Sequence, residues 1–289
     1  MLQNRGAVIT LACALALIGC GDAADDADTG GEVADAEPLV DPAQAATISG
    51  VVNFEGEPPA PEPIDMSEEP TCAEKHEGQP VRTPVVASDG RLKNVFVRVS
   101  EGLPDRSWPS ATEPREIDQD GCVYEPHVLG IQTGQTLTIR NSDGILHNIN
   151  ATPENNQSFN ISQPTTMEST RSFSRPEVMI PVRCDVHGWM EAYIGVVEHP
   201  YYAVTGDDGS FTIENLPPGD YVIEAWHERY GTQTANVSVQ AQGTGEANFT
   251  YNANMAATAV VPLGEPIDLH DHGVAGGGAT HTSSSDGGR

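Results

Sequence analysis

Four residues with the side-chain donors of a copper site occur in this chain, three of them in one short run. Cys184, His187 and Met190 follow the spacing Cys-x2-His-x2-Met, and His147 lies far upstream. One thiolate, two imidazoles and a thioether are the ligand set of a type 1 (blue) copper centre, since soft sulfur ligands select copper. Protein atoms fill every position of such a site. The pattern therefore predicts one copper ion that exchanges single electrons, and no enzymatic reaction at the metal.

The elements that must hold these donors are predicted to be strands. Period-2 alternation with β-branched residues marks Val95–Val99 and Thr136–Arg140, and Ile194–Val197 and Tyr221–Ala225 are further strand-like runs. Asp-Gly turn signals separate them, at positions 89, 120, 143 and 208. No amphipathic helix of any length and no internal repeat is recognisable. The predicted fold class is all-β.

The stretch around His147 and the cysteine loop resembles the cupredoxins. A strand ends in Asn141, and His147 follows shortly with Asn148 after it. The loop from Cys184 to Met190 has the short spacing of amicyanin-like members, although Gly188-Trp189 stands where a proline is expected. The resemblance implies a Greek-key β-sandwich that holds the metal geometry nearly unchanged during electron transfer.

The same resemblance assigns roles to individual residues. It implies His147, Cys184, His187 and Met190 as the ligands of one copper ion. It implies Asn148 as an outer partner that ties the His147 strand to the cysteine loop. An exposed ring edge of His187 would be the port for electrons, with Trp189 in the apolar contact patch around it.

A second module follows the copper loop. The runs Thr205–Phe211 and Leu216–Tyr221 resemble the carboxypeptidase-regulatory-like (transthyretin-like) β-sandwich, which implies a small β-sandwich over residues 200–253. Such modules usually begin with a strand like Ile48–Asn53. Residues 48–199 would therefore form the copper domain, or residues 48–110 would complete the second sandwich, with the copper domain inserted. The first arrangement is slightly favoured.

Both ends of the chain are predicted to lie outside the folded part. Residues 1–19 read as a bacterial export signal, with Arg5, a short apolar stretch and a lipobox that makes Cys20 the lipidated residue. Residues 20–47 are acidic without Lys or Arg and predict a flexible tether. Residues 254–289 predict a disordered tail. The tail contains three histidines, which would either have no role beyond being polar or bind metal weakly: His270, His272 and His281.

Export leaves three cysteines in the mature chain. Cys72 and Cys122 would pair in an oxidising compartment, which leaves Cys184 as the odd thiol for copper. His76 and His127 follow the first two cysteines, so a second metal site with a Cys2His2 ligand set is the alternative.

The charge excludes one class of partner. The chain has 42 acidic and 14 basic residues and a formal net charge of −28, which argues against nucleic acid. We expect a lipid-anchored electron carrier in the bacterial cell envelope, facing the periplasm or the surface, with redox proteins such as a cytochrome or a copper oxidoreductase as partners. The alternative is a copper-binding or delivery protein. A third hypothesis is an adhesion or assembly module with a vestigial metal site.

Overall fold

The structure is a computed structural model that describes residues 40–83 and 85–255. The predicted signal peptide over 1–19, the lipidation site Cys20 and most of the predicted tether lie outside the described residues. So does the tail from residue 256 onward, with its three histidines.

The described chain is built from strands and one short helix, which confirms the all-β prediction. In chain order the elements are β1 Ala46–Glu55, β2 Glu62–Pro63, α1 Pro70–Ala73, β3 Val81–Arg82, β4 Ala87–Ser88, β5 Arg91–Leu92, β6 Phe96–Glu101, β7 Arg115–Asp120, β8 Val123–Glu125, β9 Val128–Gln132, β10 Leu137–Asn141, β11 His147–Ala151, β12 Phe159–Gln163, β13 Met167–Arg171, β14 Glu177–Arg183, β15 Glu191–Val197, β16 Tyr202–Val204, β17 Ser210–Leu216, β18 Gly219–His227, β19 Gly231–Val239, β20 Thr244–Glu246 and β21 Phe249–Asn252. Within the described ranges, no helical segment has the length and apolarity needed to cross a bilayer.

Strands β7 to β15 form one sandwich, which we call the inner sandwich. One sheet has the order β13-β10-β7-β8 and the other the order β12-β11-β14-β15-β9. Alternate side chains of β10 point inward, so Leu137 and Ile139 are fully buried. Ile117 of the neighbouring strand β7 and Ile149 of β11 in the facing sheet are buried with them. Burial of such side chains contributes about 1.5–3 kcal/mol each. This core is the rigid base beneath the strand ends that carry the predicted ligands.

The remaining long strands form the outer sandwich. One sheet has the order β17-β1-β5-β4, with β20 and β21 also on β1, and the other has the order β16-β6-β18-β19. Strands β1, β4, β5 and β6 therefore belong with β16 to β21, and the inner sandwich is inserted between β6 and β16. The strand pairing differs from the favoured expectation of one domain over 48–199: β1, β4, β5 and β6 pair with the outer strands, whereas apolar residues of 62–82 pack on the inner sandwich. The physical reason is that β1 buries Ile48, Val52 and Phe54 against the outer core.

The two sandwiches meet through aromatic side chains packed on glycines. A β-carbon at Gly195 would lie 2.7 Å from the Phe96 ring, and one at Gly130 would lie 2.3 Å from the Tyr202 ring. Only glycine permits this approach. Phe96 also packs with Val128 and Tyr193 of the inner sandwich. The outer sandwich thus packs directly against the paired strands β9 and β15.

Residues 62–82, with β2, α1 and β3, belong to neither sheet of the outer sandwich. We call this segment the strap. Its apolar side chains Ile64, Met66 and Cys72 are part of the inner core. The β2–β3 pairing closes the strap on itself, with Glu62 opposite Arg82. The strap therefore lies across the inner sandwich although it arises between two outer strands.

The burial of His227 should make the outer sandwich less stable in acid. This side chain is 1% exposed, its Nδ1 accepts the amide hydrogen of Arg229 at 3.1 Å, and burial lowers its pKa from 6.5 to about 4. Between these values the unfolded chain binds more protons than the folded one, so the free energy of unfolding falls as the pH is lowered through this window, by up to about 1.4 kcal/mol per pH unit.

We therefore expect His227→Gln, which keeps a hydrogen-bond acceptor, to lose less free energy of unfolding than the parent when the pH is lowered. Urea unfolding at pH 7 and pH 5 measures the difference, which should be on the order of 1 kcal/mol. An identical pH dependence in both proteins would assign the acid sensitivity to other groups.

Candidate metal centre

Adjacent strand ends bring the four predicted ligands to one end of the inner sandwich. His147 is the first residue of β11, Cys184 follows β14 directly, and Met190 directly precedes β15. Strand β14 pairs with β11 on one side and with β15 on the other. The sheet therefore places the upstream histidine beside both ends of the cysteine loop.

The loop itself is closed by backbone hydrogen bonds. The Cys184 amide donates to the Met190 carbonyl at 3.1 Å, and the Met190 amide donates to the His187 carbonyl at 2.9 Å. The His187 amide donates to Cys184 Sγ at 3.4 Å. These bonds hold the loop in a tight turn that buries the Cys184, His187 and Met190 side chains, so it needs no proline for its closure.

Three ligand atoms converge on one buried point. His147 Nδ1 lies 2.8 Å from His187 Nδ1, and Cys184 Sγ lies 3.8 Å from His187 Nδ1. The three side chains are at most 2% exposed, and Met190 is 1% exposed. Two imidazole nitrogens and a thiol in this arrangement fit a soft divalent or monovalent metal, and copper above all.

Hydrogen bonding favours the thiolate before any metal binds. Burial raises the pKa of Cys184, but hydrogen bonds from His147 and His187 lower it more, to about 6. Burial lowers the pKa of His147, while hydrogen bonds to Asp143 and Cys184 raise it more, to about 9. Both shifts favour a thiolate beside a protonated imidazole in the metal-free site. A metal cation would replace that proton.

Asn148 connects the two segments of the site. Its Oδ1 accepts the Asp185 amide hydrogen at 2.7 Å and lies 3.3 Å from Cys184 Sγ. Its Nδ2 donates to Asp185 Oδ2 at 3.1 Å and to Asn160 Oδ1 at 2.7 Å. The side chain thus spans from the His147 strand to the cysteine loop and contacts the sulfur.

The other two cysteines of the predicted mature chain are joined to each other. Cys72 and Cys122 form a disulfide. His76 Nε2 is 2.8 Å from the Gly121 carbonyl, whereas His127 hydrogen bonds to Glu228 Oε1 at 2.9 Å. Within residues 40–83 and 85–255 no group of metal donors contains either histidine. The alternative Cys2His2 site is therefore wrong, because its thiols are consumed and its histidines have separate partners.

The strap covers His187. The ring, expected to have an exposed edge, is 1% exposed, with Cys72 Sγ 4.0 Å and Glu69 Oε1 3.9 Å from Nε2. Trp189 packs on the other side at 5.1 Å between ring centroids, and its Nε1 donates to the Cys122 carbonyl at 3.0 Å. The prediction of an exposed port at His187 is wrong, because the disulfide-bonded strap occupies that surface.

Asp143 is the residue at the site that sequence reasoning missed. Its carboxylate accepts a hydrogen bond from His147 Nε2 at 2.8 Å, and neither side chain is exposed. In the sequence, Asp143 stands out only as the first residue of an Asp-Gly turn signal. The four-residue spacing to His147 was the one available clue, and outside a helix such spacing does not specify contact.

Comparison with known proteins gives partial likenesses. The carboxypeptidase regulatory-like domain model matches residues 191–252, which include β15 and the outer strands β16 to β21. Among curated proteins, none matches this chain.

Solved structures similar to this chain include an amicyanin, a nitrite reductase and a cupredoxin. An oxidised variant of amicyanin is 17% identical over 34% of this chain and 99% of its own, with a TM-score of 0.27. The copper-containing nitrite reductase NirK from Thermus scotoductus SA-01 is 18% identical over 34% of this chain and 26% of its own, with a TM-score of 0.29. A purple cupredoxin from Nitrosopumilus maritimus is 23% identical over 28% of this chain and 98% of its own, with a TM-score of 0.25.

Proposed function

We propose that this chain binds one copper ion between His147, Cys184, His187 and Met190 and carries single electrons. The observation that carries the proposal is the convergence of two Nδ1 atoms and one sulfur at a single buried point. Bound copper would supply a one-electron couple between Cu(I) and Cu(II). The residues supply a geometry that changes little between the two states, because sheet pairing and loop hydrogen bonds hold every donor.

Burial of the donors favours electron transfer over catalysis. The four side chains are at most 2% exposed, so a substrate has no direct path to the metal, whereas an electron can cross a short distance of packed protein. We therefore propose a carrier and not an enzyme. Delivery of copper would require the ion to leave through the same closed shell, which favours retention of the metal.

Electrons need an exit other than His187. Among the described residues, four large apolar side chains are exposed, and two of them directly precede the histidine ligands: Leu146 at 45% and Val186 at 36%. We propose that a redox partner contacts this uncovered surface, where an apolar contact loses water readily. The covered ring of His187 would then serve the metal but not the partner.

Val186→Asp should slow electron exchange with a redox protein several-fold and leave the midpoint potential of the copper couple unchanged. Met167→Asp is the matched control, since Met167 is 37% exposed on β13 and precedes no ligand. Stopped-flow mixing with a c-type cytochrome measures both. Equal rates in the two variants would place the contact elsewhere.

The proposed setting is the cell envelope, anchored through the lipidated Cys20, with a cytochrome or a copper oxidoreductase as partner. The Cys72–Cys122 disulfide supports an oxidising compartment, because such bonds persist there. Labelling of cells with a radioactive fatty acid tests the anchor, and loss of the label in Cys20→Ala is the expected result.

Spectra of the copper-loaded full-length chain test the proposal. We expect an intense visible band, an electron paramagnetic resonance signal of a copper thiolate site and reversible voltammetry. Exchange with a Cu(I) chelator separates a carrier from a delivery protein, since a carrier should retain its ion. A colourless loaded protein, or one that does not cycle reversibly, would overturn the electron-carrier proposal.

A further inference from the structure

Asp143 is a buried carboxylate whose partners all belong to the surroundings of the metal centre. Oδ2 accepts from His147 Nε2 and from the Cys122 amide, each at 2.8 Å. Oδ1 accepts from the Gly121 amide at 2.8 Å and pairs with Lys75 Nζ at 2.8 Å. The carboxylate is therefore ionised and held in one orientation by four donors.

This orientation determines which nitrogen of His147 can bind a metal. An ionised carboxylate only accepts hydrogen bonds, so His147 Nε2 must carry a hydrogen. In the neutral ring the lone pair is then on Nδ1, which is the atom that faces His187 Nδ1 and the sulfur. Without the carboxylate, the other tautomer would direct an N–H at the metal position.

The turn that holds Asp143 also reaches the second histidine. Gly121 and Cys122 have φ values of 66° and 55°, which aims both amides at the carboxylate. Cys122 is bonded to Cys72, whose Sγ lies 4.0 Å from His187 Nε2. Lys75 approaches Asp143 from the strap. One disulfide-bonded turn therefore supports both imidazoles, directly at His187 and through Asp143 at His147.

We infer that Asp143 is a positioning residue that makes His147 an Nδ1 donor and strengthens that donor towards copper. The inference rests on the proposed function for its metal, although the tautomer itself is a property of the metal-free chain. A carboxylate on the distal nitrogen increases the electron density of the ring. A ring with more electron density stabilises the more positive ion to a greater extent. Asp143 therefore stabilises Cu(II) relative to Cu(I) and lowers the reduction potential of the copper couple.

Asp143→Asn tests the inference with nearly the same shape. The asparagine amide group must present its NH2 to one side of the site. One side has two fixed donors, the Gly121 amide and the charged Lys75. The other side has one fixed donor, the Cys122 amide, and His147, the one neighbour that can change tautomer, so the NH2 should face His147. This change should place the hydrogen on Nδ1. The same substitution at the buried aspartate of the serine protease triad also produces the wrong histidine tautomer, although there the roles of the two nitrogens are exchanged.

The first measurement needs no copper. Nitrogen-15 NMR of the metal-free full-length chain, with the pH raised until the His147 ring is neutral, should show the hydrogen on Nε2 in the parent and on Nδ1 in Asp143→Asn. Asp143→Ala is the second variant and should show a mixture of tautomers. Glu116→Gln, the same change at an exposed carboxylate, is the control and should behave like the parent.

The second measurement uses the loaded protein. Asp143→Asn should lose 10–100-fold in Cu(II) affinity, the usual effect of removing an outer partner. Each tenfold loss relative to Cu(I) raises the midpoint potential by about 59 mV. An Nε2 hydrogen that persists in folded Asp143→Asn would overturn the inference, as would unchanged Cu(II) affinity and potential. A parent chain that binds no copper would refute the proposed function. The tautomer of His147 could still be determined, because that measurement uses the metal-free chain.

Discussion

Cys184→Ser should abolish the intense visible absorption of the copper-loaded protein and lower copper affinity by at least about 100-fold. The sulfur is the one soft anionic donor of the site, and its neighbours hold its pKa at about 6, so it binds as a thiolate at neutral pH. A serine hydroxyl stays protonated and is a hard ligand. Loss of an outer partner alone costs 10–100-fold, so loss of this donor should cost more.

Visible spectra and competition with a Cu(I) chelator measure the effect of Cys184→Ser. Met190→Leu is the matched control because it preserves volume beside the same loop and leaves the two histidines and the thiolate in place. It should retain the absorption and shift the midpoint potential. Retention of the visible band in Cys184→Ser would show that the sulfur is not a ligand.

Removal of the disulfide should have the largest effect on stability. Cys72 and Cys122 are separated by 50 residues, and opening a loop of this length corresponds to about 4 kcal/mol in the chain-entropy model. Both side chains are fully buried, so alanine is preferable to serine at these positions. We expect Cys72→Ala/Cys122→Ala to lose roughly 2–5 kcal/mol in the free energy of unfolding.

The same double variant should uncover His187. The strap is held on the inner sandwich by the disulfide, by Lys75 and by the side chains of Ile64 and Met66. Without the covalent link, the strap should open more often, and copper should exchange faster with a chelator. Hydrogen exchange over residues 62–82 measures the opening, with urea unfolding for the stability.

Lys75→Met provides the comparison for this experiment, because it removes one strap contact and keeps the disulfide. It should open the strap less than the double variant does. Unchanged hydrogen exchange in Cys72→Ala/Cys122→Ala would contradict the role of the disulfide in holding the cover, even if the global stability fell.

Much of the candidate site could be predicted from the spacing of residues in the sequence. Cys184, His187 and Met190 lie within seven residues, and a loop that short brings its side chains together between paired strands. His147 followed from the asparagine-terminated strand before it. The contacts of Asp143 could not be predicted, because they depend on a turn at 121–122 and on a lysine of the strap. Those segments are distant in sequence and have no shared pattern.

The burial of His187 illustrates the same limit. Its expected exposure came from the resemblance of the loop to other copper loops, and the loop alone has no means of covering its own histidine. The cover comes from residues 62–82, whose composition predicts no particular packing. The disulfide, Lys75 and the apolar side chains of the strap determine where it lies.

The amino-acid sequence by itself determined the type of donors, the all-β class and the presence of two modules. Alternating hydrophobicity and short-range spacing are local properties, so they can be read without a fold. The tertiary structure alone decided that β1 completes the outer sandwich, because its parallel pairing joins Val52 to Phe249 across nearly the whole folded chain. It also decided which nitrogen of His147 faces the metal position and which histidine is covered. Such long-range contacts depend on packing between distant segments, for which local patterns contain no information.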